Sequence, residues 1–396
     1  MSDTPWLTII GIGEDGVAGL NSASQDALNA AEVIMAPPRH LALVPDSSAQ
    51  RIAWPVPFAD GLALLDGFKG QRVVVLASGD PFWFGAGSVI AARYNAKEWT
   101  ALPGPSCFAL AAAQLGWALE KTTCLGLHAA PMTRLRRHLA VGTQIIVTLR
   151  DGAAVHDLAA YLNSAGFADS TLTILEHLGG PQERVTTATA NALAGQFEHP
   201  VCAAIKVAGD GQALTSATGQ CDATFQSDGQ MTKRPIRAIT LSTLAPKPNE
   251  DLWDVGGGSG SIALEWLLSH PTTTATCIEP REDRATRIRQ NGKDLGVENR
   301  LRVVVGSAPA ALAGLNIPDA IFVGGGLGAE LMDAVTAVNA RLVVNAVTLE
   351  GETLLAAAHA AHGGELMRIE IANAKPLGSK RGWSASYPVV QWSLTR

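Results

Sequence analysis

Short apolar runs separated by glycine- and proline-rich turns and alanine-rich amphipathic stretches give the chain an α/β pattern throughout. In the first half, strands are expected at Leu7–Ile10, Val73–Ala77, Gln144–Leu149, Leu172–Leu175 and Ala203–Val207. Helices are expected near Ser22–Ala31, Gly87–Tyr94, Cys107–Leu115 and Ala153–Ala165. The pattern does not settle how these strands are ordered.

The second half alternates more regularly. Strands are expected at Leu252–Val255, Ala275–Glu279, Leu301–Val305, Ala320–Val323, Leu342–Asn345, Leu366–Ile371 and Val389–Leu394, with helices at Ser259–Ser269, Asp283–Leu295, Ala329–Val338 and Leu349–His362. Repeated β-α alternation implies a mainly parallel, doubly wound sheet with its ligand beyond the strand C-termini. Between the halves, "GDGQALTSATGQCDATFQSDGQ" lacks periodicity and is rich in Gly, Ser, Thr and Asp. Residues 209–230 therefore read as a linker between a domain at 1–208 and another at 231–396. The halves share no repeat period, so the chain reads as a fusion rather than a duplication.

Composition narrows the class. A 396-residue chain that is 47% hydrophobic and 17% charged is long enough for two cores and too apolar for disorder. No apolar run approaches a membrane span and no signal-peptide pattern precedes the first strand, so a cytoplasmic location is expected. The five cysteines, Cys107, Cys124, Cys202, Cys221 and Cys277, lack metal-ligand spacing, and no metal is expected. A net charge of −6 offers nucleic acid no broad attraction, so an anionic substrate must be met by local basic residues. Arg134, Arg136, Arg137 and His138 are one such cluster, readable as a solvated helix face or as a contact for an acidic ligand.

Two glycine loops compete as cofactor sites. "TIIGIGEDG" has the spacing of a dinucleotide fingerprint, but Glu14 and Asp15 would set two carboxylates where a pyrophosphate should lie. "LWDVGGGSGSIALEWL" is the stronger cradle, a buried strand ending in Asp254, then Gly256, Gly257, Gly258, Ser259 and Gly260, then a helix N-terminus. Glu279, closing the next strand, suits the two hydroxyls of a ribose. Ser307 and Ala308 follow the third strand, and Gly324 the fourth, where small residues permit close approach to an adenosine.

The G-x-G-x-G spacing after an acidic residue resembles the S-adenosylmethionine loop of class I methyltransferases. With "MTKRPIRAITLSTL" before it and "KPLGSKRGWSASYPVVQW" near the end, the second half resembles the decarboxylating precorrin methyltransferase domain of cobalamin biosynthesis. That resemblance implies cofactor contact by Thr232 and carries over to Asp254, the glycine loop, Glu279 and Ala308. Lys233, Arg237, Lys380 and Arg381 are candidate partners for substrate carboxylates. In the first half, "VLASGDPFWFGAG" and "LPGPSCFALAAAQLGW" join the opening glycines in resembling the tetrapyrrole methylase family, a second S-adenosylmethionine fold. Gly79, Asp80, Pro81, Gly104 and Ser106 are its candidate cofactor residues, with Cys107 where a second serine is common.

The fusion, in this order, resembles the family of decarboxylating precorrin C5,15-methyltransferases. The resemblance implies one S-adenosylmethionine per domain and a small-molecule tetrapyrrole substrate, precorrin-6B, converted to precorrin-8X. It also implies C5 methylation by the N-terminal domain, C15 methylation and loss of the ring C acetate carboxyl by the C-terminal one, and a homo-oligomer. No residue stands out as the proton donor. Two other readings remain open, a one-site methyltransferase with a docking module and an NAD-dependent oxidoreductase.

Overall fold

The computed structural model describes residues 5–395. The chain divides into two compact units, one holding residues up to 132 with 138–212, the other 133–137 with 213 onward. Among the described residues no helix is long and apolar enough to cross a membrane.

The first unit contains two five-stranded sheets. Strands β1 (Leu7–Ile12), β2 (Val33–Ala36), β3 (Gln50–Ala53), β4 (Val73–Ser78) and β5 (Trp99–Leu102) lie in the order β3-β2-β4-β1-β5. All neighbours are parallel, and the strands are joined through helices α1 (Ser22–Asn29), α2 (Pro38–Ala42), α3 (Phe58–Asp66) and α4 (Gly87–Arg93). After α5 (Cys107–Leu115) come β6 (Thr122–Gly126), β7 (Gln144–Thr148), α6 (Ala153–Ser164), β8 (Thr171–Glu176), β9 (Arg184–Thr189) and β10 (Val201–Lys206). Their order is β6-β7-β10-β8-β9, with only β6 and β7 parallel. Both faces of the first sheet are covered, Ile10 and Ile12 on one side and Ile9 and Leu7 on the other, which is why its strands read as continuous apolar runs.

The second unit opens with α7 (Arg234–Leu244) and continues through β11 (Asp251–Val255), α8 (Ser261–Ser269), β12 (Thr274–Glu279), α9 (Glu282–Asp294), β13 (Leu301–Val305) and β14 (Ala320–Val323). It ends with α10 (Ala329–Thr336), β15 (Arg341–Ala346), α11 (Leu349–His362), β16 (Glu365–Ile369), β17 (Ala372–Leu377), β18 (Lys380–Ala385) and β19 (Val389–Leu394). Seven strands form one sheet in the order β13-β12-β11-β14-β15-β19-β16, parallel except for β19. Strand order reverses beside β11, which opens a crevice beyond the C-terminal ends of β11 and β14. Alternate residues of β11 feed different cores, Leu252 joining Trp266 and Phe322, and Trp253 joining Ile321 and Trp392. Each such fully buried side chain contributes roughly 1.5–3 kcal/mol.

The segment expected to act as a linker does not behave as one. Phe225 is buried in the core beneath α7 and α8, and the amides of Gly219 and Gln220 donate to the carboxylate of Glu265 at 2.6 and 2.9 Å. A stretch without periodicity is thus fixed by backbone hydrogen bonds, to which an apolar pattern is blind.

Candidate functional site

The second unit's crevice is a cavity of about 830 Å³ at the ends of β11, β12, β14 and β15. Its floor is the glycine loop. Gly256, Gly258 and Gly260 all have positive φ, and a Cβ on Gly256 would sit 2.7 Å from Cα of Gly325, so the loops after β11 and β14 meet this closely only because residue 256 is glycine. The two left-handed glycines Gly258 and Gly260 also delay the helix, which begins at Ser261 rather than Ser259.

Two carboxylates stand under this loop. Asp254 is fully buried and accepts the Ala263 amide at 3.0 Å, so it anchors the start of α8. Burial raises its pKa to about 7, with the Glu279 charge adding to the rise and the Ala263 and Cys277 hydrogen bonds opposing it. Glu279 accepts the Gly258 amide at 2.8 Å on one oxygen and the Arg281 amide at 3.0 Å on the other, leaving lone pairs on both for a ligand's hydroxyls. Thr232, Lys233, Ser307, Ala308 and Gly324 also line the cavity. Arg284 closes it at one side, held by Asp228 at 2.8 Å and Gln230 at 2.6 Å.

The first unit brings its three glycine-bearing motifs together at adjacent strand ends. A Cβ on Gly11 would lie 1.7 Å from the Gly79 carbonyl oxygen and 2.5 Å from the Gly104 nitrogen. The Gly79 amide donates to Ile12 and the Gly104 amide to Gly79, both at 3.0 Å. Gly11 therefore serves strand-end packing. Beside them lies a cavity of about 370 Å³ lined by Gly79, Asp80 and Ser106, with Trp83 and Phe84 partly exposed at its edge. Asp80 accepts the Phe82 amide at 2.9 Å, and the Ser106 hydroxyl caps α5 by accepting from Ala109 at 3.1 Å. A charged group lines the same cavity: Arg39 pairs with Glu14 and donates to the Ser78 hydroxyl at 3.0 Å. His40 lies 2.7 Å from Arg39, and burial together with that positive charge lowers its pKa to about 3.

Two family models cover nearly the whole chain: "Tetrapyrrole (Corrin/Porphyrin) Methylases" over residues 7–194 and "Precorrin methyltransferase domain" over 223–396. A precorrin-6Y C(5,15)-methyltransferase (decarboxylating) from Sinorhizobium sp is 48% identical over 99% of this chain and 97% of that protein. The chain belongs to this family. A Mycobacterium tuberculosis member is 39% identical over 98% of this chain and 100% of its own length. The C-terminal domain of the Rhodobacter capsulatus precorrin-6Y C5,15-methyltransferase, known as a crystal structure, is 50% identical over 46% of this chain and all of that one, with a TM-score of 0.45. A Salmonella typhimurium cobalt-precorrin-6B C(15)-methyltransferase (decarboxylating) is 30% identical over 40% of this chain and 85% of its own. Membership makes the chain an S-adenosylmethionine-dependent, decarboxylating methyltransferase.

Several expected site residues of this family member lie elsewhere. Arg237 is not a substrate contact: it is fully buried, bonded to Glu265, to Asp222 at 3.1 Å, and to the carbonyls of Thr232 and Gln220, with its guanidinium over Phe225. It positions Thr232 instead. Ser259 and Gly260 do not line the C-terminal cavity, because the turn directs Ser259 into the protein and packs Gly260 on Ile288. Lys380 and Arg381 fall on the exposed β17–β18 hairpin, outside the cavity lining. In the first unit Pro81 and Gly104 lie behind the lining and shape it through backbone bonds to Gly87 and Gly79. Sequence reasoning missed Glu14, Arg39, His40 and Ser78 as one cluster. No spacing signals it, because the cluster joins the ends of β1 and β4 with α2.

Proposed function

We propose that each unit binds its own S-adenosylmethionine, that the N-terminal unit methylates C5 of precorrin-6B, and that the C-terminal unit methylates C15 and removes the ring C acetate carboxyl, giving precorrin-8X. What carries this reading is the presence in each unit of a separate glycine-floored cavity at parallel strand ends. The Salmonella relative supports the division, since a protein matched by less than half of this chain is named for C15 methylation with decarboxylation.

The bound cofactor supplies a methyl group already activated on a sulfonium. In the C-terminal cavity, the Gly256–Gly258 turn lets backbone approach the ligand, Glu279 receives ribose hydroxyls, and Ser307 and Ala308 flank the adenine. Lys233, at the N-terminus of α7, faces the cavity as a cation for peripheral substrate carboxylates. In the N-terminal cavity, Gly79, Asp80 and Ser106 offer backbone and short side chains, and Trp83 and Phe84 offer aromatic faces to a macrocycle. Little acid–base machinery is needed for transfer to an enamine-like ring carbon. Orientation for in-line attack and exclusion of water are the protein's contributions.

Calorimetric titration with S-adenosylhomocysteine tests the reading. Two sites per chain are expected, with no binding of NADH. One site that survives alteration of Gly79, Asp80 and Pro81 would instead leave the N-terminal unit as a docking module.

A further inference from the structure

A buried side-chain network stands at the C-terminal cavity wall, apart from the glycine loop. Asn345, at the end of β15, lies directly opposite Gln391 of β19 and lines the cavity. Its Nδ2 donates to Thr240 Oγ1 at 2.9 Å, while Gln391 Nε2 donates to Asn345 Oδ1 at 2.9 Å and to Thr240 Oγ1 at 3.2 Å. Gln391 Oε1 in turn accepts from the Thr243 hydroxyl at 2.9 Å. Thr240 and Gln391 are almost completely buried. These bonds fix the amide's orientation and use only one of its two Nδ2 hydrogens. Among the described residues no acceptor takes the other.

The cavity lining at this sheet end is neutral, with Asn373, Ser386 and Tyr387 beside aliphatic side chains. Val347, Ile369, Ile371 and Val389 line the same sheet end. Of the two cations lining the cavity, Arg284 is committed to Asp228 and Gln230, and Lys233 caps α7 about two helical turns before Thr240, roughly 10 Å along the helix. A wall of aliphatic and neutral polar side chains, on which this one amide is held fixed by a buried network, suits a carboxylate that must become neutral carbon dioxide. A cation would stabilise the ionised ground state more than the transition state, in which charge is leaving the carboxylate. A neutral donor orients the group, and the aliphatic part of the wall withholds the solvation that protects it.

We propose that Asn345 binds the carboxyl group that the substrate loses, and that Thr240 and Gln391 are positioning residues for its amide. The proposal rests on assigning decarboxylation to the C-terminal unit. In the step, the bond between the acetate methylene and its carboxyl carbon breaks. Its electron pair flows into the conjugated ring iminium left by methyl transfer, and carbon dioxide departs. Carboxylate and iminium charges cancel, and the methylene carbon later takes a proton from water to become a methyl group.

The test uses full-length chain, precorrin-6B and S-adenosylmethionine, with product masses read by mass spectrometry. Asn345→Leu should lower decarboxylation per C15 methyl transferred by about tenfold, as expected for loss of a hydrogen bond to a charged group. Methylated product still holding its carboxyl should accumulate, while S-adenosylhomocysteine binding is unchanged by calorimetry. Asn345→Asp keeps the volume and the bond from Gln391 but faces the substrate with a like charge, and should uncouple the steps in the same way if the leucine variant fails to fold. Wild-type coupling in a folded variant, or a parallel fall of both steps, would overturn the proposal. Decarboxylation that persists when Gly256→Ala has silenced the C-terminal loop would overturn the underlying assignment and the proposal with it.

Discussion

At the residue scale, Asp254 and His40 are both buried beside a cavity, and their titrations are displaced in opposite directions. The Asp254 carboxyl, raised from 3.8 to about 7, keeps its proton in the folded state over a range where the unfolded chain has released it. Its contribution to stability therefore declines as pH rises through that window, and Asp254→Asn should remove the decline. His40, lowered from 6.5 to about 3, stays neutral where the unfolded chain would bind a proton. Its contribution is complete above 6.5 and is lost as pH falls toward 3, so His40→Gln should flatten that arm of the stability curve. Urea unfolding of each variant across this pH range checks both signs. Glu279→Gln belongs to the same scale: it should weaken S-adenosylhomocysteine at the C-terminal site by about 2 kcal/mol, read by calorimetry, while the N-terminal site keeps its affinity. Glu279 was legible as a carboxylate closing a strand. The Arg39–Glu14–Ser78 cluster was not, because its members meet only after β1 and β4 pair.

At the scale of elements, what could be read in advance depended on burial. Strands β1, β4, β11, β12 and β14 are covered on both faces and appear in the sequence as apolar runs. The β17–β18 hairpin is almost wholly exposed and β9 is largely polar, so neither leaves a periodic trace, and the hairpin carried Lys380 and Arg381 away from the cavity. Arg237 shows how a motif position can be misread. Its charge suggested a substrate contact, yet its bonds tie the segment before α7 to Glu265 on α8. Arg237→Met should lower the unfolding free energy of the second unit by about 3–5 kcal/mol, since it leaves the Glu265 charge buried without its counter-charge, held only by the Gly219 and Gln220 amides. Chemical denaturation measures that loss. Gly11→Ala acts on three loops at once, because its methyl would overlap the Gly79 carbonyl. It should abolish ligand binding in the N-terminal cavity and leave the C-terminal site intact.

At the scale of the whole molecule, the α/β class and the order of the two domains were legible from motif grammar, as was the family. The extent of the second unit was not. Residues 213–230 are held by Glu265, Asn291 and the core around Phe225 rather than by an apolar repeat, so a C-terminal fragment intended to fold alone should begin near 213. The central claim is a division of labour between two cofactor sites on one chain. Its most direct test supplies precorrin-6B and S-adenosylmethionine with an isotope-labelled methyl group to full-length Gly11→Ala and Gly256→Ala, and locates the label by NMR with masses measured in parallel. The account predicts that Gly11→Ala yields product decarboxylated and labelled at C15 but not C5, and that Gly256→Ala yields product labelled at C5 alone with its carboxyl retained. A Gly11→Ala product labelled at C5 but lacking the C15 change would contradict it.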